Sequence, residues 1–240
     1  MCLIFCLPHA GGGAHHYQGW KNFLSPSLDW QPVDYAGHFS RMEEDSYISF
    51  EQAVQDLAMR MLQYADGQPF AIFGHSMGGA FAYEIAQFLS EQSLSERVHF
   101  IIVSSVVPPF QNDFNTLRYF ELSDQDFIKH LVDIGGMSSD MIERADAISE
   151  FTSLIRRDYK LYYEYTPKEH APLLIPLHSF WGDQEIELNS KMPRWSDYTE
   201  LDSLSTVYPG DHFYWRNCLE VVAAEISSIA GEVLARIKEK

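Results

Sequence analysis

The segment GHSMGG, residues 74–79, constrains this chain more than any other feature of its sequence. It contains the pattern G-x-S-x-G, which places a serine on a sharp turn between a strand and a helix. Residues 69–73 before it are typical of a short buried strand, and residues 80–89 after it are typical of a helix. Because both flanks are present, the pattern predicts that Ser76 is a nucleophile raised above the edge of a sheet.

Strand-like and helix-like segments alternate along the chain, which predicts an α/β fold with a mainly parallel sheet flanked by helices. Amphipathic helices are expected from Phe50 to Leu62 and from Val222 to Ile237. The length of 240 residues suits one domain, 1–240. Six strands are expected, at Cys2–Leu7, Trp30–Tyr35, Phe70–Phe73, Phe100–Ser104, Ile175–Trp181 and Ser205–Tyr208.

The alternation is interrupted once, in residues 108–172, where helical stretches at 124–132 and 145–163 occur without a good strand candidate. An insertion of this size between two strands is typical of a lid or substrate cap. It follows the strand after Ser76, so we expect it to sit above the serine. Ordinary helical padding is the alternative interpretation.

Charge and cysteine content limit the partners and the compartment. The chain has 17 Lys and Arg against 34 Asp and Glu, a formal net charge of −17, which disfavours nucleic acid and anionic membranes as partners. No apolar run is long enough to span a membrane, and the first residues do not have the pattern of a signal peptide. The three cysteines argue against a disulfide framework, so we expect a cytoplasmic protein.

A general base for Ser76 is expected late in the chain, because a serine hydroxyl is a weak nucleophile until a base takes its proton. In this architecture the triad follows the chain order Ser, acid, His. Of ten histidines, only His212 lies between the last predicted strand and the final predicted helix. A loop at that position returns an imidazole to the edge of the sheet beside Ser76, so His212 is the predicted base.

Two carboxylates compete for the third catalytic position. Asp183 and Glu185 both follow the preceding predicted strand, in the segment WGDQEI at 181–186. Either could hold the imidazole in the required tautomer and stabilise the imidazolium. The end of strand Phe100–Ser104 is the other place for the acid, but no carboxylate follows it until Asp113.

An oxyanion hole needs two main-chain N–H groups. One is expected from Met77, directly after the nucleophile, and the second from Ala10 in the glycine-rich loop LPHAGGG, residues 7–13. A phosphate-binding loop is disfavoured, because its lysine-containing pattern is absent and no Lys or Arg occurs in residues 1–20. No metal and no cofactor are expected, since the nearby histidines lack carboxylates or cysteines at metal spacing.

Three segments together match a known family: PHAGG at 8–12, GHSMGG at 74–79 and GDHF at 210–213. The chain resembles the type II thioesterases, stand-alone α/β-hydrolases that accompany nonribosomal peptide and polyketide synthases. The resemblance spans nearly the whole chain. Further matches are Trp20, the segment IGG at 134–136 and the segment RDY at 157–159.

The resemblance implies an α/β-hydrolase fold and hydrolysis of acyl or aminoacyl thioesters from the phosphopantetheine arm of carrier proteins. The usual role is editing, in which stalled or wrongly primed carriers are cleared. The acid of such enzymes ends a G-x-x-D motif, so the resemblance places it at Glu185, with glutamate replacing aspartate. A second departure is YAGH at 35–38, where the family usually has LPGR. We expect the chain to act as a monomer.

Three other functions fit the same residues: a small-molecule carboxylesterase or lipase, an acyl transferase, and a catalytically weak carrier-binding module on this fold. Carrier proteins are often acidic, so an acidic enzyme should dock through a local apolar or basic surface. Arg156, Arg157 and Lys160 form a basic cluster in the insertion. We favour the interpretation that this cluster is a helix surface with an internal ion pair.

Overall fold

The computed structural model describes residues 1–111, 118–140, 148–185 and 194–238. Its strands are β1 (Cys2–Leu7), β2 (Leu28–Pro32), β3 (Phe70–His75), β4 (Val98–Ser104), β5 (Leu177–Gly182) and β6 (Ser205–Tyr208). They form one sheet in the order β2-β1-β3-β4-β5-β6, and each neighbouring pair is parallel. The predicted α/β fold class, with its parallel sheet, is confirmed.

Helices connect the strands and cover the sheet. The α-helices are α1 (Phe50–Ala65), α2 (Met77–Glu91), α3 (Asp124–Asp133), α4 (Ser149–Tyr163) and α5 (Trp215–Lys238), the last of which is kinked at Cys218. Shorter 3₁₀ helices include Ala14–Asn22 and Phe39–Arg41. Ser49 begins α1, because its side chain accepts a hydrogen bond from the N–H of Gln52. Among the described residues, no helix is both long and apolar enough to cross a membrane.

Two hydrophobic clusters fill the two faces of the sheet, and β1 contributes to both. Leu3, Phe5 and Leu7 pack in the cluster that includes residues of α1 and α2. Cys2, Ile4 and Cys6 point the other way, into the cluster with α5 and the 3₁₀ helix Ala14–Asn22. Every residue of β1 is buried, as expected for a parallel strand covered on both faces.

Four strands, β2, β3, β4 and β5, begin or end at residues other than those predicted, and the differences at β2 and β5 have a clear physical reason. β2 ends at Pro32, three residues before the predicted end, because the chain then turns to the glycine-rich loop. There Asp34 accepts the N–H of Ala14 at 2.7 Å and the Tyr35 hydroxyl donates to the Pro8 carbonyl at 2.6 Å. β5 begins after Pro176, which has no N–H to donate to a sheet.

The insertion between β4 and β5 holds α3 and α4. α3 agrees with the predicted helix at 124–132. α4 begins at Ser149, and residues 145–147 of the helix predicted at 145–163 lie outside the described residues. α4 packs against the glycine-rich loop, because a Cβ added to Gly11 would lie 2.3 Å from Ile155 Cγ1. The insertion therefore contacts the loop that follows β1. Its role as a lid, and the single-domain assignment, stay predictions.

The start of α2 packs directly on the end of β1. A Cβ on Gly78 would lie 2.2 Å from the carbonyl oxygen of Leu7 and 2.6 Å from that of Pro8. Both are main-chain atoms, so an added methyl group must push the helix away from the strand. We expect Gly78→Ala to lower the free energy of unfolding by about 1–3 kcal/mol, measured by urea denaturation.

Gly231→Ala is the matched control. Gly231 lies inside α5 with no atom within 4 Å of an added Cβ. Alanine there should leave the free energy of unfolding unchanged or raise it by up to about 1 kcal/mol, because alanine favours a helix interior. Equal losses of stability in the two variants would contradict the close packing inferred at Gly78.

Candidate active site

Ser76 occupies a strained turn between β3 and α2. Its backbone has φ 57° and ψ −123°, a conformation that non-glycine residues rarely adopt and that costs about 1–3 kcal/mol. The Ser76 N–H donates to the Ser104 carbonyl at 2.7 Å, which ties the turn to β4. His75 before it is fully buried, whereas Ser76 is partly exposed. The turn thus has the geometry that G-x-S-x-G predicts.

The parallel sheet brings the residues after four strands to the same edge. His75 is in register with Ser104, Ser104 with Phe180, and Gly182 with Tyr208. The segments that follow these strands begin with Ser76, with Ser105, with residues 183–185 and with residues 209–212. Residues far apart in the sequence therefore meet at this edge.

His212 and Glu185 form a hydrogen-bonded pair at the sheet edge. His212 Nδ1 lies 2.8 Å from Glu185 Oε1, and the side chains are 21% and 5% exposed. The other carboxylate oxygen, Oε2, accepts the N–H of Gly182 and the hydroxyl of Ser105, each at 2.9 Å. With Nδ1 directed at the carboxylate, Nε2 of His212 is the ring nitrogen left to take a proton from a nucleophile.

Asp183 is placed differently from Glu185. Its side chain is exposed, and Oδ1 accepts the N–H of Gly210 at 2.9 Å. The Gly210 carbonyl in turn accepts the N–H of Gln184 at 2.8 Å. Asp183 therefore fixes the turn that leads to His212. The geometry favours Glu185 as the acid, and the catalytic role of either carboxylate stays a prediction.

Ser105 supports the carboxylate and was missed by sequence reasoning. It has a φ of 50°, and its hydroxyl lies within hydrogen-bond distance of Glu185 Oε2 and, at 3.2 Å, of the His212 carbonyl. For the position after β4 we considered only a carboxylate, whereas the residue there is a serine. A polar residue directly after the strand next to the nucleophile was the available signal.

The two predicted oxyanion donors lie on segments that pack against each other. Met77 is the first residue of α2, so its N–H has no partner one turn back in the helix. Ala10 lies in a turn closed by a 2.9 Å bond from the Gly12 N–H to the His9 carbonyl. In the described part of the chain, the Ala10 N–H donates to no acceptor. Their role in holding an oxyanion stays a prediction.

Two buried histidines lie close to His212 without adding positive charge there. Burial lowers the pKa of His75 and of His9 well below the usual range, and the nearby His212 acts in the same direction. The His75 ring lies 5.0 Å from that of His212, and its Nδ1 is 2.8 Å from the Ser104 hydroxyl. Both rings are therefore neutral at physiological pH.

Two further histidines, in the 3₁₀ helix Ala14–Asn22, pack as aromatic rings. His16 lies 4.9 Å from His9 and 4.1 Å from His15, measured between ring centroids. Burial lowers the pKa of His16 to about 4. Among the described residues, no group of three or more His, Cys, Asp or Glu side chains is placed to hold a metal ion.

The chain matches known proteins over almost its entire length. The family model for the thioesterase domain matches residues 3–229. The gramicidin S biosynthesis protein GrsT of Aneurinibacillus migulanus is 27% identical, covering 88% of this chain and 82% of that protein. The medium-chain S-acyl fatty acid synthase thioesterase of Homo sapiens is 28% identical, covering 88% and 80%.

Two solved structures give the same result at the level of the fold. ClbQ from the colibactin NRPS/PKS pathway is 26% identical, with a TM-score of 0.85 and 98% of each chain covered. The type II thioesterase BorB from the borrelidin biosynthetic cluster is 25% identical, with a TM-score of 0.79 and coverage of 95% and 91%. These findings confirm the resemblance that the three sequence segments indicated.

Replacing each of the two carboxylates by its amide should have different effects on kcat. Glu185→Gln presents an amide to His212 Nδ1 and no longer stabilises the imidazolium, so we expect kcat for an acyl thioester to fall about 10²–10⁴-fold. Asp183→Asn keeps an oxygen for the Gly210 N–H and should lower kcat less than about tenfold. Steady-state kinetics of the two variants at equal stability decides the assignment. The reverse order of effects would make Asp183 the acid.

Proposed function

The chain belongs to the thioesterase domain family, and on that premise we propose that it removes acyl or aminoacyl groups from the phosphopantetheine arm of carrier proteins. It is a thioester hydrolase of the α/β-hydrolase type. The observation that carries the proposal is the Glu185–His212 pair, joined at 2.8 Å at the same sheet edge as the strained turn of Ser76. A synthase for nonribosomal peptides or polyketides is the proposed setting, because GrsT is a gramicidin S biosynthesis protein and ClbQ comes from the colibactin NRPS/PKS pathway.

The proposed mechanism has two steps through an acyl-enzyme. Ser76 Oγ attacks the thioester carbonyl while His212 Nε2 takes its proton, and the N–H groups of Met77 and Ala10 stabilise the oxyanion. The C–S bond then breaks and the carrier thiol leaves with that proton. A simple thiol has a pKa of about 8.5, so it is a far better leaving group than an amine. Water activated by His212 releases the acid and restores Ser76.

Docking of a carrier domain has to overcome the negative charge of the chain, −17. The basic residues of the insertion are largely engaged within it. Arg156 pairs with Asp124 at 2.9 Å, and Lys160 lies 3.7 Å from Glu164. This pairing supports the interpretation of these residues as a helix surface. We therefore favour docking of the carrier domain through an apolar surface. In this proposal the enzyme is a monomer in the cytoplasm.

The proposal is tested with a panel of carrier proteins loaded with different acyl and aminoacyl groups. We expect mass spectrometry after incubation to show the free phosphopantetheine thiol on a subset of the carriers. Ser76→Ala should lower the rate by about 10⁴-fold or more, because the nucleophile is lost while the fold is kept. Substantial turnover by this variant would contradict the role of Ser76.

A matched pair of small substrates separates thioester hydrolysis from the alternatives. The thioester should be hydrolysed faster than the oxygen ester with the same acyl group. Preference for the oxygen ester would favour a carboxylesterase, and transfer of the acyl group to an added amine would favour an acyl transferase. A folded protein whose Ser76 fails to react with a fluorophosphonate would favour a binding module.

A further inference from the structure

The glycine-rich loop is attached to the insertion at the residue directly after Ala10. The N–H of Gly11 donates to Asp158 Oδ2 of α4 at 2.6 Å, and Gly11 has a φ of 71°. The peptide unit that joins Ala10 to Gly11 is planar and rigid, so fixing its N–H fixes the orientation of the whole unit. The Ala10 N–H belongs to the preceding peptide unit, which is joined to this one at the Ala10 Cα, so Asp158 restrains the backbone next to that N–H.

His38 binds the same carboxylate oxygen. Its Nε2 lies 2.9 Å from Asp158 Oδ2, and its Nδ1 lies 3.0 Å from the carbonyl oxygen of Ala36. Both partners are acceptors, so the ring satisfies both only when each nitrogen carries a proton. The side chains of His38 and Asp158 are 3% and 7% exposed. The contact is therefore a buried pair of an imidazolium and a carboxylate.

We propose that His38 is a positioning residue for thioester hydrolysis, which as an imidazolium holds Asp158 against the Gly11 N–H and so fixes the oxyanion donor Ala10. The proposal rests on the proposed function of the site. Loss of the His38 proton removes one of its two hydrogen bonds and leaves Asp158 as a buried carboxylate without a charged partner, which is costly. The loop should then lose its fixed geometry.

The surroundings of His38 favour its charged form. Burial is the largest influence and lowers its pKa, but the hydrogen bond and charge of Asp158 and the Ala36 carbonyl outweigh it, so the pKa is raised above 6.5. Arg157 on α4 opposes this increase. Because the folded-state pKa is raised, the imidazolium is present below that pKa and is lost as the pH rises through it.

Other titratable side chains among the described residues lie near His38 and Phe39 without taking part in the ion pair between His38 and Asp158. The Tyr35 ring lies 5.6 Å from that of His38, and its hydroxyl is bonded to the Pro8 carbonyl. From the 3₁₀ helix Ala14–Asn22, the His15 ring packs 4.5 Å from that of Phe39.

Oxyanion stabilisation acts on the transition state, so the proposal predicts an effect on kcat rather than on KM. In the wild-type enzyme kcat should show an alkaline fall, as the pH rises through the raised pKa of His38 and this residue loses its proton. His38→Arg places a cation that does not titrate opposite Asp158 and should abolish the alkaline fall. His38→Gln should lower kcat about 10–100-fold at neutral pH with little change in KM.

The control is His99→Gln. His99 lies near the start of β4, at the end of the strand away from Ser104 and the site, so this variant should leave the pH profile of kcat unchanged. An alkaline fall that is the same in wild type and in His38→Arg would overturn the proposal. So would a His38→Gln variant of normal stability whose kcat equals that of wild type.

A second measurement needs no turnover and no variant. Nuclear magnetic resonance of the wild-type protein follows the imidazole of His38 and the amide of Gly11 while the pH is raised from about 6, just below the ordinary histidine pKa of about 6.5. We expect both signals to change with the same midpoint, and exchange of the Gly11 amide with solvent to accelerate above it. A Gly11 amide indifferent to the titration of His38 would overturn the inference. Failure to hydrolyse any thioester would instead refute the proposed function, and the Gly11 amide would still decide whether the pair fixes the loop.

Discussion

The contact between the first turn of α2 and the end of β1 is the constraint on which the rest of the site depends. Gly78 allows it, because a side chain there would meet the Leu7 carbonyl at 2.2 Å. Gly74 allows the helix to fold back on β3, since its Cβ would lie 2.0 Å from the Gly78 carbonyl. With both glycines in place, the turn at Ser76 is sharp and the first turn of α2, which begins at Met77, lies against Leu7 and Pro8. The positions of the proposed nucleophile and of the proposed oxyanion donors thus depend on one packing contact.

Long-range hydrogen bonds also hold the residues of the site in place. Glu185 accepts from His212, Gly182 and Ser105, and such bonds to a charged group are worth about 1.5–3 kcal/mol each. On the other side of the site, Asp158 joins the glycine-rich loop to α4 and to His38. The insertion therefore lies beside the site and also stabilises it.

The sequence predicted the parts of the site that have local signals. Ser76 follows from its motif and His212 from its place before the last helix, and both lie at the expected edge of the sheet. Spacing could not choose between Asp183 and Glu185, because both sit in one short turn and only the folded turn shows which side chain meets the imidazole. The Asp158 contact with Gly11 joins residues 147 positions apart, so no local sequence pattern predicts it. The end of β2 was predicted too late for a related reason, since Asp34 and Tyr35 bind the glycine-rich loop instead of continuing the strand.

In the proposed mechanism Ser76 carries the acyl group between the carrier thiol and water, supported by His212 and Glu185. The decisive measurement is rapid acid quench of the enzyme with an acyl carrier protein, followed by mass spectrometry of the peptides. We expect a peptide containing Ser76 to be heavier by one acyl group during turnover and to be unmodified again once the substrate is consumed. An acyl group on any other residue, or release of the acid with Ser76 unmodified throughout, would contradict it.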